Sequence, residues 1–92
     1  MVAMPMGVPK PERRRERQAV WEPVVKLMRE RHLTFRWLAC EIGLDYHVLM
    51  NMRLGYQITQ RPVWVAVCRA LGVPEWEHVP LPERVFRQYL AG

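Results

Sequence analysis

The sequence predicts an all-α fold, a compact bundle of about five short helices. Apolar residues recur three and four positions apart in successive segments, and no segment alternates apolar and polar residues convincingly enough for a strand. Residues that cap or end helices separate these segments: Thr34 and Asp45 precede two of them, and Gly43, Gly55 and Gly72 follow three. These signals define the element order described below.

Length and composition restrict the kind of protein. The chain has 92 residues, half of them hydrophobic, which suits one small globular domain with a single core. Its formal net charge of +5 suits a polyanionic partner, although charge alone is a weak signal. The N-terminus is apolar only briefly before prolines and arginines follow, so we expect neither a secretory signal nor a membrane span. A soluble cytoplasmic protein is the resulting expectation.

The first 19 residues are predicted to form a basic, proline-containing arm. Met1–Pro11 contains three prolines and a glycine but no periodic apolar face. The charged residues that follow have high helix propensity, which allows a separate short helix there. Because an interior proline disrupts a helix, Pro23 predicts that the main first helix starts at residue 21 or 22 and ends at residue 31 or 32.

A second predicted helix begins after Thr34, a natural N-cap, and runs to Ile42. Leu38, Ala39 and Ile42 form its apolar face. Gly43 lies where the chain must leave helical backbone angles, and a glycine does this at low cost. Ala39 is small enough to let the next helix cross closely.

A third predicted helix follows Asp45, whose side chain can cap it, and runs to residue 52 or 54. It buries Val48, Leu49 and Met52. Two short helices joined by such a tight turn form a helix-turn-helix, which favours DNA binding. The outward residues of the third helix are a mixture of polar and aromatic side chains: Tyr46, His47, Met50, Asn51 and Arg53.

Two further helices complete the predicted bundle. Pro62 opens a fourth helix that Gly72 closes, and its predicted inward residues are Val63, Val67, Ala70 and Leu71. A short turn starts at Pro74, and a last helix spans residues 83–90. The predicted organisation is therefore an arm over 1–19, a helix-turn-helix domain over 20–79 and a C-terminal helix within 80–92.

Residues 20–79 resemble the DNA-binding domains of the lambda-repressor-like helix-turn-helix family, the family of lambdoid phage repressors and Cro. That family has a leucine-alanine pair, a glycine four residues after the alanine, and apolar residues on the recognition helix. The corresponding residues here are Leu38, Ala39, Gly43, Leu49 and Met52. The downstream residues Arg61-Pro62 and Ala70-Leu71-Gly72-Val73-Pro74 resemble the family's fourth helix and its exit.

The resemblance implies a sequence-specific regulator of transcription, a repressor of bacterial or phage origin, that binds double-stranded DNA in the cytoplasm at the nucleoid. Helix 45–54 would lie in the major groove. The residues expected to contact bases are Asp45, Tyr46, His47, Met50 and Asn51. The residues expected to contact phosphates are Thr34, Phe35, Arg36, Arg53, Tyr56, Gln57 and Arg61.

Two positions and one loop depart from the family. Phe35 stands where many relatives have a glutamine that contacts DNA, and Arg53 stands where a glutamate commonly pairs with an arginine of the first helix. The loop from Gly55 to Arg61 is longer than in the compact phage repressors. These departures predict that phosphate contacts are redistributed, chiefly to Arg36, Tyr56, Gln57 and Arg61.

The two ends of the chain each allow two interpretations. The basic arm residues could follow phosphates or enter a minor groove, or they could form a solvated helix face balanced by Glu12 and Glu16. These residues are Lys10, Arg13, Arg14, Arg15 and Arg17. The strip Val85, Phe86, Tyr89 and Leu90 favours a homodimer interface, and its alternative is packing against the first helix.

Other classes of function are less well supported. The chain has no serine nucleophile and no glycine-rich phosphate loop, so we expect no enzyme. Cys40 and Cys68 lack nearby ligands at metal-binding spacing, so we expect two buried free thiols, no metal and no cofactor. The remaining alternative is a protein-interaction module of the same fold, with RNA polymerase, a toxin or a viral component as its partner.

Overall fold

The computed structural model describes residues 11–82, and within this range every regular element is helical. The elements are α1 (Pro11–Glu30), α2 (Phe35–Ile42), α3 (Tyr46–Arg53), α4 (Arg61–Leu71) and one turn of 3₁₀-helix, Pro74–Trp76. The predicted all-α class is confirmed. The predicted last helix, residues 83–90, lies outside the described residues.

Helix α1 is longer than the sequence predicted, and the expected start at residue 21 or 22 was wrong. It is one continuous helix of 20 residues that contains Pro23. Proline removes one backbone donor, here toward Ala19, and both residues lie on the exposed side of the helix. Because Trp21 and Val24 on the opposite side are anchored in the core, tertiary packing outweighs the local penalty.

Helices α2 and α3 are delimited by the predicted residues. The Thr34 hydroxyl accepts a hydrogen bond from the Trp37 amide at 3.1 Å, as an N-cap does. Gly43 ends α2 with φ of 69°, while the Leu44 amide donates to the Ala39 carbonyl at 2.9 Å. Three residues, 43–45, therefore join α2 to α3, as the sequence predicted.

The core is centred on Trp21, which is 1% exposed. Its ring meets that of Trp64 edge to face at 5.3 Å and that of Phe35 at 6.2 Å. Its indole N–H donates to the buried Thr59 hydroxyl at 2.7 Å. Helices α1, α2 and α4 and the loop before α4 thus meet at one side chain.

The inward face of α4 differs from the prediction. Val67 and Leu71 are buried as expected, but their buried companions are Trp64 and Cys68, whereas Val63 and Ala70 are only half-buried. The predicted face was therefore rotated by about one residue. In α3, Leu49 and Met52 are buried as predicted and Val48 is half-buried.

The prediction of two buried thiols was wrong for one of them. Cys68 is buried, but Cys40 is exposed, because α2 turns only Leu38 and Ala39 fully inward. Both thiols are free. Among residues 11–82, no helix combines the length and apolarity needed to cross a membrane.

Candidate nucleic-acid interface

The amino end of α3 is fixed by Asp45. One carboxylate oxygen of this residue accepts the amide hydrogens of His47 at 2.8 Å and Val48 at 3.2 Å. The same oxygen lies 3.8 Å from Nδ1 of the His47 ring. Asp45 was predicted to contact bases, and the structure uses one of its oxygens as the helix cap. Its other oxygen remains available as a hydrogen-bond acceptor.

The exposed side chains on the outward face of α3 are His47 and Asn51. Both are exposed, and because they are four residues apart they lie one above the other on the helix. Tyr46 and Met50, which were also predicted to face away from the core, are half-buried. The most accessible part of the predicted base-reading face is thus polar, with apolar groups at its edge.

Arg36 of α2 lies over the ring of Tyr46, the first residue of α3. Its guanidinium carbon is 4.3 Å from the ring centroid, within the range of a cation–π contact. The His47 ring meets the Tyr46 ring nearly edge-on, at 5.5 Å and 80°. Tyr46 is therefore contacted by two neighbouring side chains, which the sequence did not predict.

A second arginine lies over an aromatic ring at the opposite end of α3. The guanidinium of Arg53 is 5.5 Å from the ring of Phe35, and that ring packs against Trp21. Phe35 was predicted to contact phosphate, but its half-buried ring belongs to the edge of the core.

A third pair joins the basic half of α1 to the loop after α3. The Arg14 guanidinium lies 4.8 Å from the ring of Tyr56, which is 41% exposed. Nearby, Arg17 donates to the Gly55 carbonyl at 3.2 Å and Gln18 donates to the Leu54 carbonyl at 2.9 Å. The predicted arm and the predicted phosphate-contacting loop are thus brought together on one side of α3.

Gly55 makes this close approach possible. Its φ is +85°, and a Cβ atom there would lie 2.5 Å from the Arg14 carbonyl oxygen. The sequence predicted Gly55 as the residue that ends the helix, which the structure confirms. The sequence contained no signal for the close approach of Gly55 to Arg14, because these two residues are about 40 positions apart in the chain.

The other residues predicted to contact phosphates have different surroundings in the structure. Arg61 uses one guanidinium nitrogen to donate to the carbonyls of Glu77 at 2.7 Å and Val79 at 2.9 Å, so it ties the start of α4 to the chain after the 3₁₀ turn. Thr34 serves as the cap of α2 and remains exposed, and Gln57 is half-buried. Arg61 thus has a structural role that the sequence did not predict.

The remaining predicted residues lie on the exposed helix surface or outside the described range. Arg13 and Arg15 are exposed on α1. Lys10 and the predicted dimer strip Val85, Phe86, Tyr89 and Leu90 lie outside the described residues. We name the three arginines that lie over aromatic rings, Arg14, Arg36 and Arg53, the basic rim.

Comparisons with protein-family models, curated proteins and solved structures gave no match for this chain. The candidate site is therefore defined by its own geometry, a helix with exposed polar side chains and the basic rim at its two ends.

Proposed function

We propose that this protein is a sequence-specific regulator of transcription that binds double-stranded DNA. The observation that carries the proposal is the basic rim. Arg53 is the last residue of α3, Arg36 lies over the first residue of α3 and Arg14 lies over Tyr56 in the loop after it, so each guanidinium is held over an aromatic ring. Arginines held in this way present donors to phosphates or base edges with less side-chain freedom to lose. The proposal treats α2, residues 43–45 and α3 as a helix-turn-helix of the lambda-repressor-like kind.

In this proposal α3 lies in the major groove. The exposed Asn51 amide suits the paired acceptor and donor of an adenine edge, and the half-buried Met50 suits a thymine methyl group. His47, beside the carboxylate of Asp45, supplies a further polar group at the amino end of the helix. These side chains give sequence preference, while the arginines of α1 give affinity.

The basic half of α1 follows the phosphate backbone. Arg14 and Tyr56 lie together at the carboxyl end of α3, and Arg13 and Arg15 are exposed on the same helix. The contacts of Arg17 and Gln18 with the carbonyls of residues 54 and 55 hold this half of α1 against the loop. A rigid helix, rather than an extended arm, therefore carries these charges to the DNA.

We further propose that two copies bind one DNA site. A symmetric dimer would place two α3 helices about 34 Å apart, one turn of the double helix, and would read a pseudo-palindrome. The strip formed by Val85, Phe86, Tyr89 and Leu90 is the proposed dimer interface.

The experiment is selection of bound sequences from a random pool of duplex DNA with the purified full chain. Enrichment of a short motif repeated with inverted symmetry is the expected result, and Asn51→Ala should relax preference at one base pair of each half-site. Arg69→Ala is the matched control, because Arg69 pairs with Glu77 away from α3. Failure of the wild-type chain to enrich any sequence would sink the proposal.

A protein-interaction module is the second candidate. The observation that favours it is the absence of lysine and arginine from residues 46–52 of α3, where Tyr46 and Met50 are of residue types enriched at protein interfaces. RNA polymerase, a toxin or a viral component would be the partner. Capture of one stoichiometric protein partner by the wild-type chain, lost in Met50→Lys, together with no retention on duplex DNA at low salt, would favour this candidate.

A further inference from the structure

We propose that Arg36, supported by Tyr46, reads a guanine at the edge of the DNA site. Arg36 thereby takes the base contact first predicted for Tyr46, and Tyr46 positions it. This inference rests on the proposed DNA-binding function. Its basis is the contact between the Arg36 guanidinium and the Tyr46 ring across the junction of α2 and α3.

The Tyr46 ring is poorly placed to contact a base itself. One of its faces is covered by the Arg36 guanidinium at 4.3 Å, and the His47 ring meets it nearly edge-on at 5.5 Å. The side chain is also half-buried. Tyr46 is therefore a positioning residue, a platform on which another group is held.

Arg36 has the donors that a base contact needs. It is exposed, and within residues 11–82 its guanidinium has no hydrogen-bonded or ion-paired protein partner. A guanidinium that lies on an aromatic face directs its N–H groups outward in its own plane. That planar fork matches the two acceptors, O6 and N7, that guanine presents in the major groove.

The location of the platform favours a base over a phosphate. Tyr46 is the first residue of α3, and base edges are contacted from the amino end of a recognition helix. A bidentate base contact depends on the orientation of the fork, so fixing the guanidinium improves it. A phosphate can also accept both N–H groups of the fork, so the position beside the amino end of α3 is the observation that favours a base.

The experiment compares full-length variants on the motif enriched by the wild-type chain. Arg36→Lys keeps the charge but removes the planar fork, so it should lose roughly 5- to 100-fold of the discrimination for guanine at one position. Tyr46→Phe keeps the ring and should retain that preference, whereas Tyr46→Leu removes the platform and should weaken it. Arg69→Lys is the matched control and should leave the motif unchanged.

The outcomes separate this inference from the function on which it rests. A uniform loss of affinity for all sequences in Arg36→Ala, with the salt dependence reduced by about one phosphate contact, would identify a phosphate contact and overturn the inference alone. Retention of the guanine preference in Arg36→Lys would also overturn the inference. No enrichment by the wild-type chain would overturn both proposals.

Discussion

The backbone of Arg14 in α1 lies so close to Gly55 that a Cβ atom there would be 2.5 Å from the Arg14 carbonyl oxygen. The same glycine has φ of +85°, and its own carbonyl accepts a hydrogen bond from Arg17. One residue therefore ends α3 and fixes the basic half of α1 beside it. In the proposed function, this contact also sets the position of Arg14 relative to the DNA.

The first prediction concerns this contact. Gly55→Ala should lower the free energy of unfolding by at least about 2 kcal/mol, because it combines a left-handed backbone with a steric clash. Gly43→Ala is the matched control, since Gly43 has φ of +69° but open space around it, and it should lose only about 1 kcal/mol. Urea unfolding measures both values, and equal losses would contradict the close approach.

The second prediction concerns the end of α1. His32 is the one residue other than glycine with positive φ, 59°, among residues 11–82, and it occupies the position at which glycine closes the other helices. His32→Gly should therefore raise the free energy of unfolding by about 0.5 to 1 kcal/mol, seen as a higher thermal midpoint. Glu30→Gly, in the last turn of α1, should lower the free energy of unfolding. A lower value in both variants would contradict the role of His32 as the residue that closes α1.

The third prediction concerns the hydrogen bond between Trp21 and Thr59. Thr59→Val keeps the shape of the side chain but leaves the buried indole N–H without an acceptor, so it should cost about 1 to 3 kcal/mol. Thr59→Ser keeps the hydroxyl and should cost less. Chemical unfolding of the two variants tests this order, and a Ser variant less stable than the Val variant would contradict it.

The fourth prediction concerns the two thiols. Burial, reinforced by the negative charges of Glu77 and Glu75 and opposed by Arg61, raises the pKa of Cys68 from 9.0 to about 11. Since the raised pKa favours the neutral thiol in the folded state, this contribution to stability is complete below pH 9. It is lost as the pH rises from 9 through about 11.

A thiol-specific reagent and alkaline unfolding measure these properties. At pH 8 the exposed Cys40 should react at once and Cys68 only on unfolding. Cys68→Ala should remove part of the loss of stability above pH 9, relative to the stability of the variant at pH 7. Equal rates of reaction for Cys40 and Cys68 in the folded protein would contradict the burial of Cys68.

Local chemistry allowed the ends of α2 and α3 and the carboxyl end of α4 to be predicted from the sequence. Thr34 and Asp45 cap α2 and α3 with their own side chains, and Gly43 and Gly72 adopt the left-handed conformation that the chain needs there. Each of these roles depends on residues within a few positions of one another. Such roles are visible in a linear sequence.

Features that depend on packing could not be predicted in this way. The continuity of α1 through Pro23 requires knowing that Trp21 is anchored against Trp64 and Phe35. The exposure of Cys40 depends on which face of the short helix α2 is covered.

In the candidate site, too, some features follow from local sequence and others depend on packing. The outward residues of α3 follow from helical spacing, and exposed His47 and Asn51 match that prediction. The contact of Arg36 with Tyr46 depends on how α2 and α3 cross, and that of Arg14 with Tyr56 joins distant parts of the chain. The sequence therefore indicated which residues of α3 face outward. Which arginine lies over which aromatic ring could be seen only in the tertiary structure.

The salt dependence of duplex binding tests the central claim most directly. For the wild-type chain, the logarithm of the association constant should fall linearly with the logarithm of salt concentration between about 50 and about 200 mM. Arg14→Ala should reduce the slope by about one, because one phosphate contact is lost, while Arg69→Ala should leave it unchanged. No duplex binding at the lowest salt, or binding that does not weaken as salt is added, would contradict the account.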